Sequence, residues 1–253
     1  MNYEEPIFYK MNLTEIEILN GIFSLSIIIV FTFLGLIIVS RYFKNKNKNY
    51  ILVGIVWIGL AEPWYGSAIS FLYTLITQNT LPLQLYLLAS NIGIPIFVFL
   101  WIVALTDLLN LDPRKKKAIQ IIFAIYGIII EILLIYSIIF IPNSLGELSG
   151  LVDITYKGWL RYYLLSVLVI LLVAAILFAR DHFKSEHRDI RFRGLFILLG
   201  FVFFVVGSTL DTAIELNTIT LPITRTIVII GSIIFCIGFL MPEKLKQYFL
   251  RKS

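Results

Sequence analysis

Seven apolar stretches constrain this chain more than any other feature. They run roughly over 16–40, 51–77, 82–109, 118–141, 159–180, 194–216 and 221–241. A helix rises 1.5 Å per residue, so about 20 apolar residues cross the ~30 Å hydrocarbon core of a bilayer. Backbone N–H and C=O groups find no water at that depth, and an α-helix is the segment that satisfies its own. The expected fold is therefore all-α: a polytopic membrane protein with a seven-transmembrane-helix bundle over 1–241, followed by a basic amphipathic tail over 242–253. Thr14-x-x-Glu17 is a capping-box pattern at the start of the first helix. Composition agrees, with 59% hydrophobic and only 15% charged residues, where a soluble domain carries about a quarter charged.

The basic residues alternate from one side to the other. Arg41, Lys44, Lys46 and Lys48 follow the first stretch, and Arg114 to Lys117 follow the third. Arg180, Lys184, Arg188, Arg191 and Arg193 follow the fifth, and Lys244, Lys246, Arg251 and Lys252 follow the seventh. Only Lys10, Lys157, Arg161 and Arg225 fall on the other side. By the positive-inside rule this predicts the N-terminus outside and the C-terminus in the cytoplasm of a multi-pass cell-membrane protein. The basic runs are short and juxtamembrane, so anionic lipid of the bilayer is their expected partner rather than nucleic acid.

Polar residues inside the apolar stretches are costly and so informative. Gly59, Glu62 and Gly66 share one helical side, as do Ala124, Gly127 and Glu131, and Gly200, Gly207 and Asp211. Small residues mark where helices approach closely, so these carboxylates are expected to face the bundle interior. Depth counting puts Glu62, Asn91 and Glu131 near the midplane, with Asp211 and Arg225 in the outer third. An Asp211–Arg225 or Glu215–Arg225 ion pair is predicted, with Arg161 close enough to join it or to snorkel to water. Arg225 with Asp211 reads equally as a structural staple. Pro63 and Pro95 break their helices and free the carbonyls of Gly59 and Asn91. The run Glu62-Pro63-Trp64-Tyr65 is expected to wall a cavity open to the outside. The candidate ligand-binding set is Glu62, Trp64, Tyr65, Asn91, Glu131, Asp211 and Arg225.

Several chemistries lack their residues. The two histidines, His182 and His187, fall in one loop, so no span offers a ligand for haem or a His-bound metal. No span carries a mid-membrane lysine for a retinal Schiff base, and no cofactor is expected. No Ser/His or Cys/His couple lies at membrane depth, which points away from an enzyme. The lone Cys236 reads as a small buried apolar residue.

The segment Gly200–Asp211, then Pro222, Arg225 and the run Gly231-Ser232-Ile233-Ile234-Phe235-Cys236-Ile237-Gly238-Phe239-Leu240, resembles the seven-helix N-terminal sensor modules of membrane histidine kinases. Such a kinase would begin its signalling helix where this sequence stops, at Ser253. The resemblance implies a sensor or receptor that binds a small ligand in an outward-facing polar pocket and signals to a separate cytoplasmic protein. The alternative is a small transporter or proton-coupled carrier using the midplane carboxylates.

Overall fold

In a computed structural model, residues 13–109, 111–242 and 247 are described. Among the described residues, seven helical rods are long and apolar enough to cross a membrane. The first is α1 (Glu15–Asn45). The second is broken into α2 (Asn49–Gly59) and α3 (Tyr65–Thr77), with a single 3-10 turn over Glu62–Trp64 between them. The third is broken into α4 (Leu83–Asn91) and α5 (Ile94–Leu108). The others are α6 (Pro113–Phe140), α7 (Gly158–Phe183), α8 (Arg188–Ala213) and α9 (Thr220–Leu240). Pro242 and Gln247 apart, the expected tail over 242–253 lies outside the described residues.

The ends follow local chemistry. The Thr14 hydroxyl accepts from the Glu17 amide while the Glu17 carboxylate accepts from the Thr14 amide at 2.8 Å. That reciprocal box satisfies two donors that the first turn would otherwise leave open. Asp112 caps α6, accepting from the Arg114 amide at 3.1 Å, with Pro113 in the first turn where no N–H is needed. Asp107 forms the ion pair with Lys116 that its place beside a basic loop suggests.

Between α6 and α7 the chain forms an antiparallel hairpin of β1 (Gly146–Ser149) and β2 (Asp153–Tyr156). Its turn reaches back onto the bundle. The Leu151 amide donates to Glu17 Oε1 at 2.6 Å, and Ser70 Oγ donates to the Leu151 carbonyl at 2.6 Å. Val152 is fully buried beneath it. The hairpin thus caps one end of the bundle, the hairpin end; the opposite end carries the basic connections.

Helices α8 and α9 form the closest packed pair, and glycine makes that approach possible. A Cβ on Gly200 would sit 2.8 Å from the Phe235 Cα, and one on Gly231 would sit 2.8 Å from the Gly200 carbonyl. At mid-bundle, Trp57 is fully buried and stacks on Phe235 with centroids 3.7 Å apart. Trp101 and Phe201 complete this aromatic layer. Helix α6 lies outermost, against α5, with only Gly127, Leu134, Ser137 and Ile138 buried. Its isoleucine-rich remainder faces outward, as a lipid-facing helix should.

Candidate functional site

A cavity of about 530 Å³ opens beneath the hairpin. Its deep wall is apolar, built from Ile94, Val98, Leu164, Leu168, Leu171 and Phe204. Its upper wall is polar, with Ser67, Tyr86, Asp153, Tyr156, Asp211 and Arg225. Exposed Thr155, Arg161 and Glu215 form part of the lining, so the cavity reaches solvent at the hairpin end.

Arg225 organises the polar wall. It is 2% exposed, and its Nε donates to Asp211 Oδ1 at 3.2 Å. Its Nη1 donates to the Asn20 carbonyl at 2.8 Å, to Asn20 Oδ1 at 2.9 Å and to Ser24 Oγ at 2.7 Å. Asp211 also accepts from Thr224 Oγ1 at 3.1 Å, and its Oδ2 accepts from Trp64 Nε1 at 3.2 Å. One guanidinium therefore ties α1 to α8 and α9, and Asp211 extends the tie to the break in the second rod. A buried charge needs this density of partners. Arg225 still lines the cavity, with its position fixed by these bonds.

The hairpin supplies the facing groups. Burial pushes the Asp153 carboxyl above its ordinary value, against the opposing effects of the Ile154 amide and the Arg225 charge. Burial pushes the Tyr156 hydroxyl up to about 12, so it remains a neutral donor and acceptor at physiological pH. Beside it, Ser67 Oγ and the Tyr86 hydroxyl are 2.6 Å apart.

The sequence-derived candidates divide into two groups. Trp64, Asp211 and Arg225 line the cavity. Glu62, Tyr65, Asn91 and Glu131 are not among its lining residues. Glu62 is buried where the two broken rods meet, and its Oε1 accepts from the Gly93 amide at 2.6 Å. Gly93 lies in the gap between α4 and α5. The carboxylate thus caps an amide that the helix break releases, and Glu62 is a fastening between breaks rather than part of the cavity wall. Asn91 Nδ2 donates to the Leu87 carbonyl at 2.9 Å. Glu131 is half-buried on the outermost helix; one oxygen of Glu62 and one of Glu131 are buried without a partner. Of the proposed ion-pair group, Asp211 and Arg225 pair. Arg161 and Glu215 are exposed at the rim and form no ion pair among the described residues. Their position at solvent explains why: water screens both charges well enough to leave them single.

Asn20 and Ser24, which hold Arg225, escaped the sequence reading. Glu17, Asn20, Gly21 and Ser24 recur at helical spacing on one side of α1, and all four are buried. That polar stripe in an apolar run was the signal. Ser67, Tyr86, Asp153 and Tyr156 gave none, because they come from separate elements and meet only in the fold. Comparison with protein-family models, with curated proteins and with solved structures finds no match for this chain.

Proposed function

We propose that the protein is a membrane receptor or sensor that binds a small amphiphile in the hairpin-end cavity and signals to a separate protein at its basic end. The positive-inside rule puts the hairpin end outside and the basic end in the cytoplasm. The cavity carries the reading: an apolar trough of about 530 Å³ headed by a preset cation and hydroxyl donors. Pockets that are largely apolar with a few convergent polar groups are the usual form of a small-molecule site. The shape suits a ligand with a polar head and a short apolar tail. The aromatic layer of Trp57, Trp101, Phe201 and Phe235 supports sensing over carriage, because none of its residues lines the cavity and it closes the bundle below. The unpartnered oxygens of Glu62 and Glu131 favour the carrier as a second reading. Flux into proteoliposomes that falls with Glu131→Gln would decide for it.

The test uses a Cys236→Ser background with Leu168→Cys in the deep wall. A membrane-impermeant maleimide on intact cells should label Cys at position 168, and decanoate or decylammonium should protect it. Absence of labelling while a Thr155→Cys rim variant labels would remove the open cavity. Labelling that neither amphiphile slows would remove the ligand class.

A further inference from the structure

A second, smaller cavity of about 140 Å³ lies at the basic end. Its lining includes Asn47 and Asn49 ahead of and at the start of α2, with Tyr50 beside them. His182 of α7, Arg193 of α8 and Gly238 of α9 also line it. The polar groups here are mostly donors without acceptors. Arg193 Nε is buried and makes no hydrogen bond, and Arg193 forms no ion pair among the described residues. Asn47 spends its Oδ1 on the Asn49 amide at 2.9 Å, which leaves its side-chain N–H groups to donate. The Asn49 side chain and the Tyr50 hydroxyl have no hydrogen-bond partner among the described residues, and the Tyr50 ring packs edge-on against Phe239. His182 Nδ1 lies 3.0 Å from the Phe178 carbonyl, which can only accept, so that nitrogen carries its proton. Among the described residues, no carboxylate lines the cavity.

The position of Arg193 is built in. A Cβ on the adjacent Gly194 would lie 2.7 Å from the His182 Cβ, so α7 and α8 are in close contact there. The His182 ring is held against Phe178 with centroids 3.9 Å apart. A cation with a bare buried N–H costs free energy unless something anionic meets it. A guanidinium edge presents two parallel donors that match two oxygens of one oxyanion.

We infer that the basic-end cavity is an oxyanion site of the phosphate class, with Arg193 as the anchor and Asn47, Asn49 and Tyr50 as further donors. This site is separate from the amphiphile cavity and does not depend on that reading. The phosphate has two sources. Arg193 lies five residues into α8, about 7.5 Å along the axis, a depth that a lipid headgroup reaches. A soluble phosphate or phosphate ester reaches it from the aqueous side.

The test measures the melting midpoint of the full chain in maltoside micelles, which hold no phosphate. One arm replaces chloride with inorganic phosphate at constant ionic strength. The other adds phosphatidic acid to the micelles. A saturable rise in the phosphate arm identifies the soluble source, and a rise confined to the lipid arm identifies the headgroup. Arg193→Gln should raise the half-saturating concentration about tenfold or more. Arg193→Lys should restore part of the loss, and Lys115→Gln, at an exposed lysine outside the cavity, should bind as the wild type does. If Arg193→Gln does not fold, Asn49→Leu replaces it, with a smaller loss expected. No saturable rise in either arm, or an undiminished rise in the variants, overturns the site.

Discussion

Replacing Asp211 by Asn tests whether Arg225 is held as described. The carboxylate accepts from Arg225, Thr224 and Trp64 at 3.2, 3.1 and 3.2 Å. An amide that keeps its oxygen at the Oδ1 position still accepts from Arg225 and Thr224, but its NH2 then faces the Trp64 N–H, which loses its acceptor, and Arg225 loses its counter-charge. Side-chain exposure is 2% for Arg225 and 14% for Asp211, so solvent screening gives small relief. Breaking a buried pair by removing one partner costs about 3–5 kcal/mol. The Nε distance is longer than the best charge-assisted bonds, and Asn20 and Ser24 still accept from Nη1. The lower end, about 3 kcal/mol, is therefore expected. At about 2–4 °C per kcal/mol for a chain of this size, the melting midpoint should fall by about 6–12 °C. A double-mutant cycle with Arg225→Met isolates the pair, and its coupling should be about 2 kcal/mol or more. A fall below 2 °C for Asp211→Asn, or a coupling near zero, would refute the claim that buried charge fixes the cavity head.

Two further outcomes follow from the same geometry. Glu62→Ala leaves the Gly93 amide buried without its acceptor and should cost about 2–3 kcal/mol, whereas Glu62→Gln keeps an acceptor oxygen and should cost less than about 1 kcal/mol; equal melting midpoints for the two would mean that charge, not the bond to Gly93, holds the breaks together. Because the folded Asp153 carboxyl titrates above its ordinary 3.8, its contribution to hairpin docking is fully present below that value and is lost as pH rises through the folded value. Asp153→Asn should remove this decline and slow hydrogen exchange at the Leu151 amide at neutral pH. An unchanged pH profile in that variant would count against it.

The rods were legible because hydropathy over about 20 residues is a strong, additive signal. Their ends were less so. Helix α1 continues to Asn45, α6 begins at Pro113 and α8 at Arg188, each several residues beyond its apolar run. Charged turns extend the helix into water at no desolvation cost, and hydropathy does not register them. The hairpin is not legible in the sequence, because four-residue strands are too short to display alternation. The Asp211–Arg225 pair was readable because a short turn joins their helices. Glu62 shows the limit of such reasoning. A buried carboxylate must find a donor; that one oxygen of Glu62 finds it in the backbone of another broken helix is a fact of three-dimensional placement.

The two cavities share their framework, and that bears on how a sensor of this shape would work. Helices α7, α8 and α9 each contribute to both, through Leu168 and His182, Asp211 and Arg193, and Arg225 and Gly238. Between the cavities the aromatic layer is packed, with Trp57 and Phe235 rings 3.7 Å apart. Close-packed interiors do not deform gradually, so a displacement at one end moves a whole rod. Arg225 and Gly238 are separated by 13 residues of one helix, about 20 Å of rigid rod. Under the sensing reading, a head group that draws Arg225 away from Asn20 would therefore shift α9 as a unit and carry Gly238 with it at the basic end. No path for the ligand through the layer is needed. The glycine contacts that let α8 and α9 approach are then as much a part of the signal route as the residues that touch the ligand.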